Sequence, residues 1–472
     1  MWGWILFFFI IILLEFLVHF YILPQLPKPL TYRELKGTPE NINFGKDFSF
    51  GASTSAWQIE KDVQPSNWTL FEHQHKADGT ACAPPHGDAC DSIKYFDDDL
   101  KLIKGMNLKS YRFGLSWAAL NPEDGKFDQV YLNHYISQCE KLKENGIQPI
   151  ITLWHFELPS WLEERGGIIS PEYVEKFTQF AEFVVNGLKD HCKMWITINE
   201  PNVYGMMGFL FGAFAPGHSS FHEFKLSLVN LMKTHVIAYK TIHKYIKDGY
   251  ASYCLQIIPF HPIHRWSILE CIICYIGNAF LNFPTLDCIN SGYVKMSFFG
   301  INLINEKIED LKDSIDYIGI NTYTILFASI NPIDWSWRKE CPIILSNYTS
   351  KYKMSDFGWT LVPESLTSVL EWVNTRWNPR NLKLVVSEHG ISDKEDKDRP
   401  WFTMDSLAFL AEAVNERKLP VTHYLHWSLI DNYEWADGYT QHFGLISYDP
   451  KTFVRTERGT CDLIRRVAKK TI

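Results

Sequence analysis

The sequence predicts a single-domain α/β protein, a (β/α)8 barrel carrying a hydrophobic N-terminal segment. Three observations predict it. Eight apolar runs of strand length begin near residues 48, 109, 148, 194, 250, 315, 382 and 421 and alternate with helical patterns. Their continuity, without polar alternation, marks strands covered on both faces and therefore parallel. No linker rich in Gly, Ser or Pro, no repeat and no low-complexity tract divides the 472 residues, a length that one barrel with long loops accommodates. No Gly-rich phosphate fingerprint appears among the βα units, which sets aside the open doubly wound sheet.

The elements follow in chain order. Trp2 to Leu23 is almost wholly apolar, interrupted by Gly3, Glu15 and His19. Its length suits a membrane span of about 20 residues, while Glu15 near its centre costs roughly 2–3 kcal/mol on insertion. It lacks the basic region and small-residue cleavage site of a secretory signal. Lys28, Arg33 and Lys36 follow it, a weak bias toward a cytosolic C-terminal domain; the sequons Asn67-Trp68-Thr69 and Asn347-Tyr348-Thr349 point the other way. The segment reads as membrane-directed, as a signal, an anchor or a span, with the side of the membrane open. The domain reading is therefore 1–23 hydrophobic, 24–43 polar lead-in and 44–472 barrel.

A short strand from Phe48 runs into Ala52–Glu60. Helix Ser92–Lys104 precedes the strand carrying Arg112, and helix Tyr131–Asn145 stops at Gly146 before the buried strand that ends at His155. Helix Pro171–His191 leads to Met194-Trp195-Ile196-Thr197-Ile198-Asn199-Glu200, which must end where Pro201 forbids a further ladder bond. Helix Phe224–Lys247 precedes strand Tyr250–Ile258, and the apolar block Trp266–Phe283 reads as a buried helix. Asp316–Tyr323 is a strand with polar groups at its end. Helices Glu364–Asn374 and Thr403–Arg417 precede the strands ending at Glu388 and near Trp427.

Composition narrows the function. A net charge of −8 without a basic run argues against nucleic acid. The 17 Trp, 22 Tyr and 32 Phe supply flat faces suited to stacking on sugars, although most belong to a large core. The ten cysteines are scattered. Cys271 and Cys274 lack a second pair at zinc-like spacing and read as buried thiols, and Cys82 and Cys90 flank a loop that a disulfide would close in an oxidising compartment. No metal site and no cofactor is implied.

In such a barrel the active site lies at the C-terminal strand ends. Gln58, Arg112, His155, Asn199, Glu200, Asn321, Tyr323, Glu388 and Trp427 all fall there. Two carboxylates facing each other across a barrel mouth suit glycosidic cleavage, one protonating the leaving oxygen and one attacking carbon or activating water. Arg112 and Tyr323 are placed to keep Glu388 ionised as the nucleophile. Glu200, with no cation adjacent in sequence, is the better proton donor. Retention requires the carboxyls about 5–5.5 Å apart.

These residues also carry a resemblance. Thr197-Ile198-Asn199-Glu200-Pro201 resembles the acid/base motif of glycoside hydrolase family 1, the retaining β-glucosidase group. Val386-Ser387-Glu388-His389-Gly390 is similar to its nucleophile motif, Phe50–Glu60 to its N-terminal signature, and Trp427–Tyr439 to its strand-8 sugar-binding loop. The likeness runs from about Phe44 to the C-terminus. It implies that Gln58, His155, Asn199, Glu434 and Trp435 bind sugar hydroxyls and that Trp427 forms the platform under the ring. Asn321 and Tyr323 match the family's N-x-Y, which implies that Tyr323 orients the nucleophile and that Asn321 belongs to the substrate-binding set. The resemblance further implies that Trp359 lines the aglycone side and that Phe443 closes the pocket. Glu434 stands where the family's phospho-glycosidases grip a phosphate, which implies a small-molecule, unphosphorylated β-glycoside substrate. The aglycone is expected to be set by loops including 325–352.

The chain departs from the pattern at Lys61, Ser387, His389 and His442. None of these removes a catalytic group, and His389 is either a proton-sensitive neighbour of the nucleophile or a side chain pointing away. A different class stays in view: a non-catalytic, membrane-tethered sugar-binding or co-receptor relative on the same barrel. Such relatives usually lack one of the two glutamates.

Overall fold

β-Branched and aromatic runs become strands here because both of their faces are covered. The computed structural model describes residues 2–31, 33–61, 63–329, 344–346 and 352–472. In it β1 (Ser49–Ser53), β2 (Ser110–Gly114), β3 (Gln148–Trp154), β4 (Met194–Asn199), β5 (Tyr250–Gln256), β6 (Tyr317–Asn321), β7 (Lys383–His389) and β8 (Val421–Trp427) form a closed parallel barrel in sequence order. Strand β8 closes on β1 in the register Ser49↔His423 to Ser53↔Trp427. Ile150, Met194, Ile196, Cys254, Tyr317, Val385 and Leu425 fill the interior. The opposite faces meet the surrounding helices in one large apolar core.

Among the described residues, the helices of ten or more residues are α1 (Trp2–Leu17), α2 (Ser92–Gly105), α3 (Gln129–Glu144), α4 (Tyr173–Leu188), α5 (Phe221–Tyr245), α6 (Ile268–Leu281), α7 (Ser365–Trp377), α8 (Arg399–Asn415) and α9 (Gly459–Ala468). Side-chain caps set several starts. Asp128 accepts from Tyr131 N at 2.8 Å, so α3 begins two residues before the sequence pattern suggests. Ser220 and Ser267 cap α5 and α6 in the same way.

Strands β4 and β7 are irregular just before their glutamates. On β4, Ile196 pairs with Ser252 but Asn199 with Cys254; on β7, Val386 pairs with Ile320 and Glu388 with Asn321. Each strand therefore carries one extra residue at its C-terminal end. A bulge shifts the in–out phase of all that follows it. On β4 it sends Ile198 to the outer core and Asn199 inward; on β7 it brings Ser387 and Glu388 together toward Asn321.

The strand expectations hold, but several others are corrected. The Trp266–Phe283 block was expected to be buried. Only one side of it is: Trp266, just before α6, is 79% exposed, and Leu269 and Ile276 on α6 are 58% and 40% exposed. Cys82 and Cys90 are both free thiols. Asn67 is buried, its amide donating to Phe156 O and Tyr204 Oη, so the first sequon offers no acceptor to solvent. Asn347 and most of the 325–352 loop lie outside the described residues. Periodicity also gave no sign of the antiparallel hairpin Tyr293–Phe298/Ile301–Lys307 or of the three-stranded sheet Phe260–Pro262, Leu326–Ser329, Ile344–Ser346.

After α1 the chain packs on the barrel. Val18, Ile22 and Leu26 are buried, and Gln25 O accepts from Trp372 Nε1 at 3.1 Å and Arg376 Nη1 at 2.8 Å on α7. Gly37 N then bonds Asp405 on α8.

Candidate active site

At the end of β4 the backbone of Glu200 turns into the left-handed region, φ 41°, and Pro201 starts the next helical turn. A non-glycine residue held there costs on the order of 1 kcal/mol or more. The turn aims the carboxyl across the barrel mouth instead of along the helix. Asn321 Nδ2, from the end of β6, donates to Glu200 Oε1 at 2.6 Å and to Asn199 Oδ1 at 3.2 Å.

Opposite, Glu388 meets a cation. Arg112 is wholly buried on β2 and donates through Nη1 to Glu388 Oε1 at 2.5 Å, through Nη2 to Asn199 Oδ1 at 2.7 Å and through Nε to Thr152 Oγ1 at 2.8 Å. Tyr323 Oη donates to the other oxygen, Glu388 Oε2. Ser387 Oγ donates to Asn321 Oδ1 at 2.6 Å, which orients that amide with its nitrogen toward Glu200. Gly390 lets β7 reach this position: a Cβ there would sit 2.0 Å from Trp427 O.

Their surroundings split the two acids. Burial lifts Glu200 well above the usual carboxylate range, and the charge of Glu388 lifts it further, against the opposing Asn321 and Arg112. Burial also raises Glu388, but there Arg112, Tyr323 and Asn321 all favour the ionised form. Arg112 and Tyr323 thus act in the expected direction, favouring ionised Glu388; they oppose burial without outweighing it, and Glu388 is the first of the pair to ionise.

A cavity of about 290 Å³ opens above the pair, near the small end of ligand pockets. Of the predicted residues, His155, Glu200, Tyr323, Trp359, Glu388, Trp427, Glu434, Trp435 and Phe443 line it. Gln58, Arg112, Asn199 and Asn321 stand behind this wall, each at most 1% exposed. Gln58 Nε2 reaches Glu434 Oε2 at 3.1 Å, Asn432 Oδ1 and Tyr433 O, while its carbonyl accepts from Ser55. Asn199 Nδ2 donates to His155 Nε2 at 2.9 Å. That bond puts the proton of neutral His155 on Nδ1, which has no protein partner. Trp359 and Phe443 pack on Tyr323 with ring centroids 5.4 and 5.9 Å away, so they line the pocket and also brace the hydroxyl that donates to Glu388.

Glu434 is pushed up to about 8, by burial first and then by the charges of Asp437 and Glu388. At neutral pH it is largely protonated, able both to donate and to accept. Among the described residues, no Lys or Arg lines the cavity. His389 does not face the cavity. Burial pushes it down to about 3; it lies parallel to Phe402 and bonds Tyr424 Oη at 3.0 Å.

Sequence reasoning missed Phe156, Val203, Met207, Phe214, Gln256, Ile258, Phe357 and Asp437, which also line the cavity. Gln256 was findable, since it is the last residue of β5. Phe156 and Trp435 take left-handed backbone, φ 67° and 48°, as Glu200 does. Val203, Met207 and Phe214 come from the connection after β4, where no periodicity distinguishes a cavity wall from core.

Comparison with known proteins gives a consistent result. The family model described as Glycosyl hydrolase family 1 matches residues 40–471. Beta-glucosidase A of Acetivibrio thermocellus is 30% identical over 444 residues, covering 88% of this chain and 95% of the relative. The cytosolic beta-glucosidase of Cavia porcellus is 29% identical, covering 86% and 93%. The structure of beta-glucosidase from Thermotoga maritima in complex with glucoimidazole superposes with a TM-score of 0.77 at 25% identity, over 91% of this chain and 99% of that one.

Proposed function

Because the chain belongs to glycosyl hydrolase family 1, we propose that this O-glycosyl hydrolase is a retaining exo-β-glucosidase of unphosphorylated β-D-glycosides, working through a glycosyl ester on Glu388. The carrying observation is the buried carboxyl pair in unequal surroundings. Glu388 is held by Arg112 and Tyr323, whereas Glu200 is held by a neutral amide and faces the charge of its partner.

In the first step Glu200 gives its proton to the glycosidic oxygen while a Glu388 oxygen bonds C1 and the C1–oxygen bond breaks. Ester formation removes the negative charge of Glu388, one of the causes that raises Glu200. Glu200, now ionised and less opposed, takes a proton from the entering water. That water attacks C1, and Glu388 leaves as a carboxylate beside Arg112. Two inversions at C1 retain the β configuration.

The remaining roles are binding ones. Trp427 underlies the ring; His155 Nδ1–H, the second amide hydrogen of Asn199, Glu434 and Trp435 meet hydroxyls; and Gln58 fixes Glu434. Trp359 flanks the aglycone and Phe443 closes the pocket. A cavity of this size suits one terminal sugar, and the carboxyl of Glu434 in a lining that holds no cation among the described residues disfavours a phosphorylated one. The relatives named as beta-glucosidases favour glucose. Both glutamates are present, so nothing supports the non-catalytic alternative. The apolar helix near the N-terminus, Ile5–Gln25 in its candidate span, would hold the enzyme at a membrane.

Incubation with an aryl 2-deoxy-2-fluoro-β-glucoside tests the assignment. The protein is expected to gain one fluoroglucosyl adduct, located by peptide mass spectrometry on Glu388, and Glu388→Gln to gain none. An adduct elsewhere, or an α-configured first product by NMR, overturns it.

A further inference from the structure

Helix α6 presents an apolar face to the outside. Trp266, Leu269 and Ile276 are exposed, Ile272, Ile273 and Phe280 partly so, and they recur at helical spacing on one side. The only acidic or basic residue on α6, Glu270, is on the opposite side, 1% exposed and bonded to His264 N at 2.7 Å. A water-facing helix of a globular protein shows the reverse pattern.

This face does not end at α6. Tyr275 joins three elements: its hydroxyl bonds Tyr21 Oη at 3.1 Å, its ring meets Tyr21 edge-on at 5.7 Å, and on another side it meets Phe299 at 5.2 Å. Phe299 is at the tip of the Tyr293–Lys307 hairpin, where Phe299, Ile301 and Leu303 are 42%, 68% and 43% exposed. Tyr21 ends the exposed apolar surface of the N-terminal helix, with Phe20 beside it 65% exposed. An exposed apolar surface this continuous marks an interaction site.

Length identifies the occupant. The apolar helical run long enough to cross a bilayer, Ile5–Gln25, has 21 residues, about 31 Å at 1.5 Å per residue. It includes Val18–Ile22, the segment already seated on α6 through Tyr21 and Tyr275. A bilayer that covers the N-terminal segment to Tyr21 therefore also reaches Tyr275 and its apolar neighbours. The 14 residues of α6, about 21 Å long, are too few to cross, and the helical turns after it bend by 50° and bury Phe283, Pro284, Thr285 and Leu286 in the protein. Tyr and Trp concentrate at such a boundary.

We propose that the barrel itself docks on a phospholipid bilayer through the outer face of α6 and the Phe299–Leu303 hairpin tip, continuous with the N-terminal anchor. The far end of α6 reaches the active-site rim: Asn282 bridges Ile258 N and O, and Ile258 lines the cavity. Docking thus fixes which side of the pocket mouth faces lipid. The proposal rests on the anchor entering the bilayer and not on the hydrolase chemistry.

Photo-crosslinking of the full chain in phosphatidylcholine vesicles tests it. Benzoylphenylalanine is placed singly at Leu269, Ile301, Phe9 and Val130, the last an apolar residue 80% exposed on α3. Lipid adducts at Leu269 and Ile301 are expected within a few-fold of Phe9 and at least roughly tenfold above Val130, as for side chains in the acyl boundary. If Phe9 labels lipid but Leu269 and Ile301 stay at the Val130 level, the anchor holds and the docking face is overturned. Protein–protein adducts at Leu269 and Ile301 in place of lipid assign the face to a second copy and overturn it as well. No labelling at Phe9, Leu269 or Ile301 ends both readings.

Discussion

Replacing Glu200 by Gln keeps the shape of the side chain but removes its titratable proton. Against an aryl β-glucoside whose phenol needs little protonation, the first step should survive while the second, which needs a base for water, falls by about 10²–10⁴-fold. A burst of phenol followed by a stall is expected. Azide, which needs no deprotonation, should restore turnover and yield the β-glycosyl azide. The alkaline limb of the pH profile, set in the parent by loss of the Glu200 proton, should vanish. Stopped-flow absorbance and product NMR check all three, and an unchanged alkaline limb would move the acid elsewhere. Both glutamates were legible in the sequence because a carboxylate at the end of a buried strand is costly without a function. The bulges that turn Asn199 and Glu388 inward were not, since a one-residue shift of register leaves no mark on composition. Nor was the raised Glu434, whose state depends on Asp437 and Glu388 brought near by folding.

At the scale of elements, α3 meets the loops after β1 and β3 around two further buried acids. Glu60 accepts from Tyr131 Oη at 2.7 Å and Tyr135 Oη at 2.9 Å, and Glu157 accepts from Ser116 Oγ at 2.9 Å. Burial pushes Glu60 up to about 7 and Glu157 to about 8 from an ordinary 4.5. A carboxyl raised in the folded state stabilises it fully below pH 4.5 and loses that contribution as pH rises through the folded value. The shifts amount to about 3 kcal/mol for Glu60 and about 5 kcal/mol for Glu157. These two acids therefore pull the Tm down between about pH 5 and 8, against the buried histidines His235, His261 and His389, which are pushed down to about 3 and pull it up to about pH 6.5. Glu157→Gln should gain Tm relative to the parent as pH rises from about 5 to 8, measured by calorimetry across that range. A difference between variant and parent that does not change with pH would contradict it. The strands were legible from their apolar runs, and the helices to within a few residues apart from the cap at Asp128. What failed was the outer face of α6: hydropathy finds an apolar helix but not which of its sides the barrel covers.

The molecule as a whole joins two parts that make few demands on each other. The barrel buries its own core and carries the site at one rim, while the large apolar residues of α1 project outward, with Phe9 56% and Ile12 64% exposed. The link between them is local, through Val18, Ile22 and the contacts of Gln25 with Trp372 and Arg376. Charges placed in α1 should then change where the enzyme sits without changing what it does. An Arg at the centre of a membrane helix costs about 2.5–3.5 kcal/mol, so Phe9→Arg with Ile12→Arg should shift partition by roughly four powers of ten. The double variant is expected in the supernatant after ultracentrifugation with vesicles, and the parent in the pellet. For a water-soluble aryl β-glucoside, kcat/KM should agree between them within about twofold, because neither residue touches the barrel mouth or the strands that carry Glu200 and Glu388. A double variant that still pellets would show that the bilayer does not hold this chain through α1. One that is released but inactive would show that α1 supports the fold of the barrel.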